Sequence, residues 1–395
     1  MTPAARLQAA IEILDEVIAS ARDDGPPADS IVTRYFKHRR YAGAKDRRAV
    51  RELVFRVIRR SAERPGSGRA AALGLIQDEP GLRLRELFGE PRGPEPLQTD
   101  ETGTAPQAGT VPGWLVSELS PLVSEKEWSA LLERAPLDLR VNVARAGRDN
   151  LLDDFPDAQP TPLSPWGIRL PPDSRIDGHP AYQSGLIEVQ DEGSQLIALA
   201  CEAENGERII DLCAGAGGKA LAFAAAAAQA RILATDSNRG RLAKLPPRAE
   251  RAGARIETLL LNPPNELDQL ADWRGEADLV LVDAPCSGSG TWRRNPEGRW
   301  RLTPERLDRL IALQQRLLDI AAELVRPGGR LIYAVCSLLS REGAGQIEAF
   351  LSRHSSWISE ETPIAAGRLD GAGRLLTPGQ DHTDGFFVAR LGRPC

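Results

Sequence analysis

Short apolar runs alternate with amphipathic stretches throughout the second half of the chain, from residue 186 onward. Apolar runs of this length, bounded by turn residues, are typical of buried strands, and the longer stretches between them have the apolar spacing of helices. The predicted strands are residues 208–212, 231–236, 256–261, 278–283, 330–335 and 386–391, and the clearest helices are 219–230 and 303–325. This alternation indicates the α/β class, with a doubly wound, mostly parallel sheet.

The first sixty residues have a helical pattern, in which Leu7, Ile11, Leu14 and Ile18 form one apolar stripe. A break is predicted at 23–27, where the chain reads Asp-Asp-Gly-Pro-Pro. A basic stretch follows, made up of Arg34, Lys37, Arg39, Arg40, Lys45, Arg47, Arg48, Arg51, Arg56, Arg59 and Arg60. Two interpretations stay open for it: a solvated helix face, or a surface that contacts nucleic-acid phosphates.

Residues 64–112 are rich in Gly, Pro and polar side chains, and 99–106 is predicted to be a loop or linker. A short helical piece is expected around 114–132. Residues 137–143 then alternate like a strand and open a small mixed α/β segment that ends near residue 180.

Composition narrows the class of protein. A chain of 395 residues is expected to form two or three domains, and its net charge of -5 argues against a uniformly basic surface. Five cysteines without Cys-x-x-Cys or Cys/His clusters form neither a disulfide framework nor a zinc site. The N-terminus lacks the apolar core of a signal peptide, and no run reaches membrane-spanning length. We therefore expect a cytoplasmic protein without metal or membrane, in which free thiols stay reduced.

Two of those cysteines are the most informative residues of the chain. Cys286 follows the predicted strand 278–283, and Cys336 follows the predicted strand 330–335. Reactive groups in open parallel sheets collect outside the carboxyl ends of the strands, so two neighbouring strands would bring both thiols to one cleft. That arrangement suits a nucleophile and a helper acting on an electron-poor ring. For either cysteine alone, the alternative is a small buried apolar side chain.

The loop Asp-Leu-Cys-Ala-Gly-Ala-Gly-Gly-Lys at 211–219 joins the first strand of this half to its first helix. Glycines allow close approach of a ligand, and a helix N-terminus offers free amides. Asp236 ends the next strand, where an acid can bind ribose hydroxyls. The residues leave NAD and S-adenosylmethionine both open as ligands. They match neither the strict Gly-x-Gly-x-x-Gly spacing nor a Walker loop.

Four motifs in fixed order make the assignment more specific: the 211–219 loop, Asp-Ala-Pro-Cys-Ser-Gly at 283–288, Val-Cys-Ser at 335–337, and His-Thr-Asp-Gly-Phe-Phe-Val-Ala-Arg at 382–390. Together they closely resemble the Nop/Sun family of RNA cytosine-5 methyltransferases, nearest to its bacterial RsmB (Sun, Fmu) branch, which acts on small-subunit ribosomal RNA. The resemblance implies a class I (Rossmann-like) methyltransferase domain at 186–395. It also implies a small α/β RNA-binding subdomain at 135–185 and an all-helical NusB-like region with its linker at 1–134.

The resemblance further implies S-adenosylmethionine as methyl donor and assigns roles to individual residues. The implied cofactor-binding residues are Cys213, Ala214, Gly215, Ala216, Gly217, Gly218, Lys219, Asp236, Asn262 and Asp283. Asp236 would hold the ribose, and Asn262 stands where the family has an acid near the adenine. Two further departures are Gly-Ala at 215–216, where the family has Ala-Pro, and Val335, where it commonly has Thr.

In the implied chemistry Cys336 adds to C6 of cytosine, Asp283 hydrogen-bonds the N3 and amino edge, and Cys286 serves the release step as a base or a helper. Arg293, Arg294 and Arg299 follow the first cysteine motif and are expected to contact RNA phosphates, an exposed loop being the alternative.

The predicted function is S-adenosylmethionine-dependent methylation of 16S ribosomal RNA at cytosine C5 by a monomer with RNA as its partner. The alternatives are a transfer-RNA cytosine-5 methyltransferase and a non-catalytic RNA-binding ribosome assembly factor. An NAD-dependent oxidoreductase fits the glycine loop but leaves both cysteine motifs unexplained.

Overall fold

The computed structural model of the protein describes residues 1–23, 25–99, 101 and 105–395. Residue 24, in the predicted break at 23–27, and residues 100 and 102–104, in the predicted loop at 99–106, lie outside the described residues. The described chain divides into two compact units. The first is formed by Met1–Leu119, Trp128–Glu133 and Thr291–Pro304, and the second by Ser120–Glu127, Arg134–Gly290 and Glu305–Cys395.

The first unit is helical, as the N-terminal pattern predicts. Its α-helices among the described residues are α1 (Pro3–Arg22), α2 (Ala28–Lys37), α3 (Ala44–Arg60) and α4 (Gly68–Asp78). Leu7, Ile11 and Leu14 of the predicted stripe are buried, and Ile18 packs against the core from a partly buried position. The helical piece expected around 114–132 consists of two 3-10 helices, Gly113–Glu118 and Glu125–Leu131.

The segment Thr291–Pro304 completes the core of this helical unit, although it follows the first cysteine motif in sequence. The indole of Trp300 is 2% exposed, lies in the same apolar cluster as the helices, and donates its N–H to the carbonyl oxygen of Ser61 at 2.9 Å. The guanidinium of Arg299 donates to the carbonyl oxygens of Ile58 at 2.7 Å and Thr110 at 2.6 Å. Ile58 lies in the last turn of α3, where carbonyls lack an intrahelical partner.

Burial changes the interpretation of the arginines expected to contact RNA. Arg299 is 1% exposed, so both the phosphate contact and the exposed-loop alternative are wrong for it, because its guanidinium is used inside the helical unit. Arg293 is also buried and Arg294 is half-buried. A contact of these two with RNA stays a prediction.

The second unit begins with a small antiparallel sheet in the order β2-β3-β1-β4. Its elements are β1 (Leu137–Val141), α5 (Arg148–Leu152), β2 (Gln159–Pro160), β3 (Gly167–Leu170), α6 (Pro180–Gln183) and β4 (Ile187–Val189). Leu139, Val141, Ile168 and Ile187 are fully buried in its core. The strand predicted at 137–143 is present as β1 but ends at Val141, and the mixed α/β segment expected to end near residue 180 continues to β4. The division of the chain at residues 134 and 185 stays a prediction.

A nine-stranded sheet organises the rest of the second unit, in the order β11-β12-β13-β9-β8-β5-β6-β7, with β10 paired to β13. The strands are β5 (Arg208–Asp211), β6 (Arg231–Asp236), β7 (Glu257–Leu260), β8 (Ala277–Asp283), β9 (Val325–Val335), β10 (Ile358–Glu360), β11 (Arg368–Asp370), β12 (Gly373–Leu376) and β13 (Phe386–Gly392). The helices are α7 (Glu192–Ala200), α8 (Gly218–Ala226), α9 (Arg239–Leu242), α10 (Leu245–Ala252), α11 (Glu266–Gln269), α12 (Pro304–Leu324), α13 (Ala344–Arg353) and α14 (Pro378–Asp381).

The run from β9 to β7 is parallel, whereas β13 lies antiparallel to β9. The α/β class with a mostly parallel sheet is therefore confirmed. The predicted helix 303–325 ends one residue early at Leu324, and β9 begins immediately at Val325, ahead of the predicted 330.

The adjacency that matters for function is that of β8 and β9. They pair in parallel, with Asp283 opposite Ala334, and the interior residues 279–282 of β8 are fully buried. Continuous apolar runs of this kind are typical of strands covered on both faces. The expectation that the two cysteine-bearing strands are neighbours is confirmed.

Within the described ranges, no helix combines the length and apolar character needed to cross a bilayer. The same ranges contain no group of three or more His, Cys, Asp or Glu side chains arranged to hold a metal ion.

Candidate active site

A cavity of about 640 Å³ opens at the carboxyl ends of β5, β8 and β9. Nine of the residues that the sequence nominates line it: Cys213, Ala214, Gly215, Ala216, Gly218, Lys219, Asp283, Cys286 and Cys336. Gly217, Asp236 and Asn262 are not part of the lining. The sheet thus gathers the glycine loop and both cysteine motifs around one space.

The two thiols are the closest functional pair in this cavity. The Sγ atoms of Cys286 and Cys336 lie 3.4 Å apart, and neither cysteine is in a disulfide. The hydrogen bond to Cys336, followed by burial, raises the pKa of Cys286 well above its ordinary value. The raised pKa means that Cys286 keeps its proton, and either sulfur could be the donor across this contact. A thiol that donates to a neighbouring sulfur favours the thiolate of that neighbour.

An ion pair between a buried lysine and a half-buried aspartate lies near the thiols. The Nζ of Lys219 lies 2.6 Å from Oδ2 of Asp283, and the lysine is buried. Burial alone would lower the pKa of Lys219, but the charge and the hydrogen bond of Asp283, together with the charge of Asp211, more than offset it, and the pKa is raised. The ammonium therefore stays charged in the neighbourhood of Cys336.

Asp211 is the unexpected carboxylate of the site. It ends β5, lines the cavity and is 1% exposed. The backbone N–H of Ala220 faces its carboxylate, but neither oxygen is in a hydrogen bond of ordinary geometry among the described residues. Burial, followed by the charge of Asp283, raises the pKa of Asp211 to about 7. An unpartnered buried carboxylate is costly to a fold, and such groups concentrate where a ligand supplies the missing partner.

Asp236 anchors the glycine loop through a hydrogen bond to its backbone. Its Oδ2 accepts the Gly215 N–H at 2.9 Å, and its Oδ1 accepts the Asn238 N–H at 2.6 Å and a guanidinium N–H of Arg241 at 3.1 Å. The aspartate thus fixes the loop that lines the cavity, and Arg241 lies in the lining itself. Its predicted contact with ribose stays a prediction.

Asn262 lies further away, beyond the end of the edge strand β7. It is exposed, and its backbone N–H donates to Oε1 of Gln269 at 2.6 Å. Its predicted place beside an adenine also stays a prediction.

Gly217 is a position where the backbone demands glycine. Its φ is +82°, and a Cβ built there would lie 2.2 Å from Cδ1 of Leu245. A side chain would be strained by the left-handed conformation and would also overlap a buried leucine. The turn aims the N-terminus of α8 at the cavity, where its free amides are available to a ligand.

Sequence reasoning did not assign roles to several residues of the lining. Arg248 donates to the Ala216 carbonyl at 2.6 Å and pairs with Glu188 at 2.8 Å, which ties the glycine loop to α10 and β4. Nothing in the sequence around Arg248 predicts these contacts. The sequence does point to Asp211, because β5, β6 and β8 each end in an aspartate and the other two were nominated as site residues.

Comparison with known proteins places this site in a family. Residues 198–392 match the family model described as 16S rRNA methyltransferase RsmB/F. Ribosomal RNA small subunit methyltransferase B of Salmonella typhi is 35% identical over 290 residues, a match covering 71% of this chain and 66% of that protein. The matched region therefore spans slightly less than two thirds of that relative.

Solved structures support the fold. The crystal structure of PH0851 has a TM-score of 0.74 and 23% identity, and the match covers 99% of each chain. The structure of NSun6 from Pyrococcus horikoshii with SFG has a TM-score of 0.60 and 19% identity, covering 68% of this chain and 93% of that one. The family model and the Salmonella relative show that this chain belongs to the RsmB/F methyltransferase family.

Proposed function

We propose that this chain is an S-adenosylmethionine-dependent RNA methyltransferase that modifies C5 of a cytosine in 16S ribosomal RNA. The observation that carries the proposal is the pair of thiols 3.4 Å apart in a cavity that also contains the glycine loop. The choice of ribosomal RNA is supported by family membership and by the name of the Salmonella relative.

The cavity suits the proposed methyl donor. S-adenosylmethionine carries an ammonium group and a sulfonium, and Asp211 offers a buried carboxylate whose oxygens are in no hydrogen bond of ordinary geometry within the described chain. The ionised Asp211 would hold the ammonium, and the loop from Cys213 to Lys219 would line the methionine and ribose. When bound, the donor supplies an electrophilic methyl group. A structural neighbour was solved with SFG, an analogue of this donor.

Cys336 is the proposed nucleophile. Cytosine C5 is a poor nucleophile until a thiolate adds to C6, after which the ring reacts as an enamine. The Cys286 thiol and the Lys219 ammonium both favour the negative charge on Cys336. Asp283 would hydrogen-bond the N3 and amino edge of the base, where charge builds up on addition. Lys219 holds that carboxylate in place.

Cys286 is proposed to act after methyl transfer. The C5 proton must then leave, and the bond between Cys336 and C6 must break. Cys286 is a thiol with a raised pKa, and its Sγ lies 3.4 Å from that of Cys336. It can therefore give its proton to the sulfur of Cys336 as the C6–S bond breaks, and the Cys286 thiolate so formed can accept the C5 proton. Its role is thus either as the base for the C5 proton or as a helper in expelling Cys336.

Bisulfite sequencing of 16S ribosomal RNA after incubation with enzyme and methyl donor tests the reaction. Cys336→Ala should abolish cytosine-5 methylation, and Cys286→Ala should accumulate a denaturant-stable adduct between protein and RNA. Cys201→Ala is the matched control, because Cys201 is buried outside the cavity. Full methylation by Cys336→Ala would refute the mechanism. Calorimetry with S-adenosylmethionine separates this function from that of an assembly factor, which would bind RNA and ignore the donor.

A further inference from the structure

A buried carboxylate lies behind the two cysteines, outside the cavity. Glu342 follows β9 in the turn that leads to α13, and it is 0% exposed. It is not part of the cavity lining, so neither RNA nor methyl donor reaches it there. Its carboxylate accepts three hydrogen bonds from neighbouring groups, which is the pattern expected of an ionised acid.

Two of these hydrogen bonds reach the immediate neighbours of the two thiols. Oε1 of Glu342 accepts the backbone N–H of Ser287, the residue after Cys286, at 2.9 Å. Oε2 accepts the hydroxyl of Ser337, the residue after Cys336, at 2.5 Å. A single side chain therefore connects the turn that carries one thiol to the turn that carries the other.

A third hydrogen bond ties the same carboxylate to α12. The side-chain amide of Gln314 donates to Oε1 of Glu342 at 2.9 Å and also to the carbonyl oxygen of Pro285 at 2.9 Å. Pro285 immediately precedes Cys286, so the turn around this thiol is held on both sides. Gln314 is fully buried, and water does not compete for these contacts.

We propose that Glu342 is a positioning residue that sets the distance between Cys286 and Cys336. It acts through Ser287 and Ser337 rather than by touching a substrate. Hydrogen bonds to an ionised, buried group are among the stronger ones in proteins, so three of them can fix two turns. The consequence for catalysis rests on the proposed function, whereas the consequence for the thiol distance does not.

Two substitutions at Glu342 test whether the size and hydrogen bonds of its side chain, rather than its charge, position the two thiols. Glu342→Gln keeps the size of the side chain, and its amide can still accept from Ser287 and donate to a rotated Ser337 hydroxyl. Glu342→Ala removes both connections. Glu348→Ala is the matched control, because Glu348 is an exposed glutamate on α13. Thermal unfolding of each variant establishes that it is folded.

The thiol distance can be read without RNA or methyl donor. Diamide, a diazene oxidant, takes up two hydrogens as a disulfide forms between two nearby thiols, and peptide mapping by mass spectrometry identifies the Cys286–Cys336 product. Glu342→Ala should form it about tenfold more slowly, the loss expected when hydrogen bonds to a charged group disappear. The oxidation rate of Glu342→Gln should stay within about threefold of that of the unchanged protein.

Oxidation of Glu342→Ala at the unchanged rate overturns the proposal. If Glu342→Ala does not fold, Ser337→Ala takes its place, and an unchanged rate there has the same meaning.

Turnover adds a readout that a purely structural role would not affect. Misplacing a reacting group by about 1 Å can cost about 100-fold in rate. Glu342→Ala should therefore lower kcat by that order and accumulate the RNA adduct expected of Cys286→Ala, with little change in KM. An altered oxidation rate without any methylation by the unchanged protein refutes the proposed function alone. Normal methylation with an unaltered oxidation rate in Glu342→Ala refutes the positioning role alone.

Discussion

The buried carboxylate of Asp211 makes binding of the methyl donor dependent on pH. Burial and the neighbouring Asp283 raise the pKa of Asp211 to about 7, so below pH 7 most molecules carry a neutral carboxyl at this point. A cationic ammonium is attracted only to the ionised form. We expect S-adenosylmethionine to bind more weakly as the pH falls through 7, and Asp211→Asn to remove that dependence.

The size of the effect follows from the pKa. A group with a pKa of about 7 is about 50% ionised at pH 7 and about 3% ionised at pH 5.5. Because the apparent Kd is the intrinsic Kd divided by the competent fraction, the Kd should rise about 16-fold over this interval. That change is about 1.6 kcal/mol of binding free energy. The interval stays below pH 7 because α-amino groups lose their own proton near pH 8.

Isothermal titration calorimetry measures both the Kd and the protons exchanged. Titrations at pH 7 in two buffers of different ionisation enthalpy should show release of about half a proton per donor bound, rising toward one proton at pH 5.5. Asp211→Asn should bind more weakly than the unchanged protein at pH 7, with a Kd that stays nearly constant down to pH 5.5. A Kd that does not change with pH in the unchanged protein, with no proton release, would refute the assignment of Asp211.

Three further substitutions probe other parts of the fold. Gly217→Ala should lower the free energy of unfolding by about 2–4 kcal/mol, since it combines a left-handed φ with overlap on Leu245, and denaturant unfolding measures it. Lys219→Ala leaves Asp283 without its partner and should cost about 2 kcal/mol by the same assay, while Lys219→Arg should restore part of it. Trp300→Ala should cost about 3–5 kcal/mol in the helical unit, seen as loss of protection in hydrogen exchange, and unchanged protection would contradict its place in that core.

Strands β5, β6 and β8 could be predicted from sequence because each is a mainly apolar run of four to seven residues bounded by turn residues. The cysteine pair could be predicted because β8 and β9 both carry a thiol just beyond their carboxyl ends. The strand at 386–391 was also predicted, but its place beside β9 and its antiparallel direction were not, because strand order and direction depend on long-range pairing that a local pattern does not contain.

The residues that hold the cysteine turns in place could not be predicted from sequence for a related reason. Glu342 and Gln314 meet behind the cysteines although 28 positions separate them, and each resembles an ordinary polar residue in its local context. Arg299 was misassigned because a run of arginines after a catalytic motif suggests phosphate binding. Its actual partners are the backbone carbonyls of α3, about 240 positions earlier.

The segment Thr291–Pro304 has a consequence for biosynthesis. The helical unit holds the first 119 residues, yet its core lacks the indole of Trp300 until about 180 further residues have been made. At about 5–20 residues per second, synthesis of that interval takes roughly 10–35 s. During this time the nascent helices α1 and α3 lack the segment Pro296–Arg301, which packs against both of them. The core of the helical unit is therefore complete only after the chain has been made as far as residue 304. A fragment that ends at residue 134 would lack the Trp300 side chain in that core.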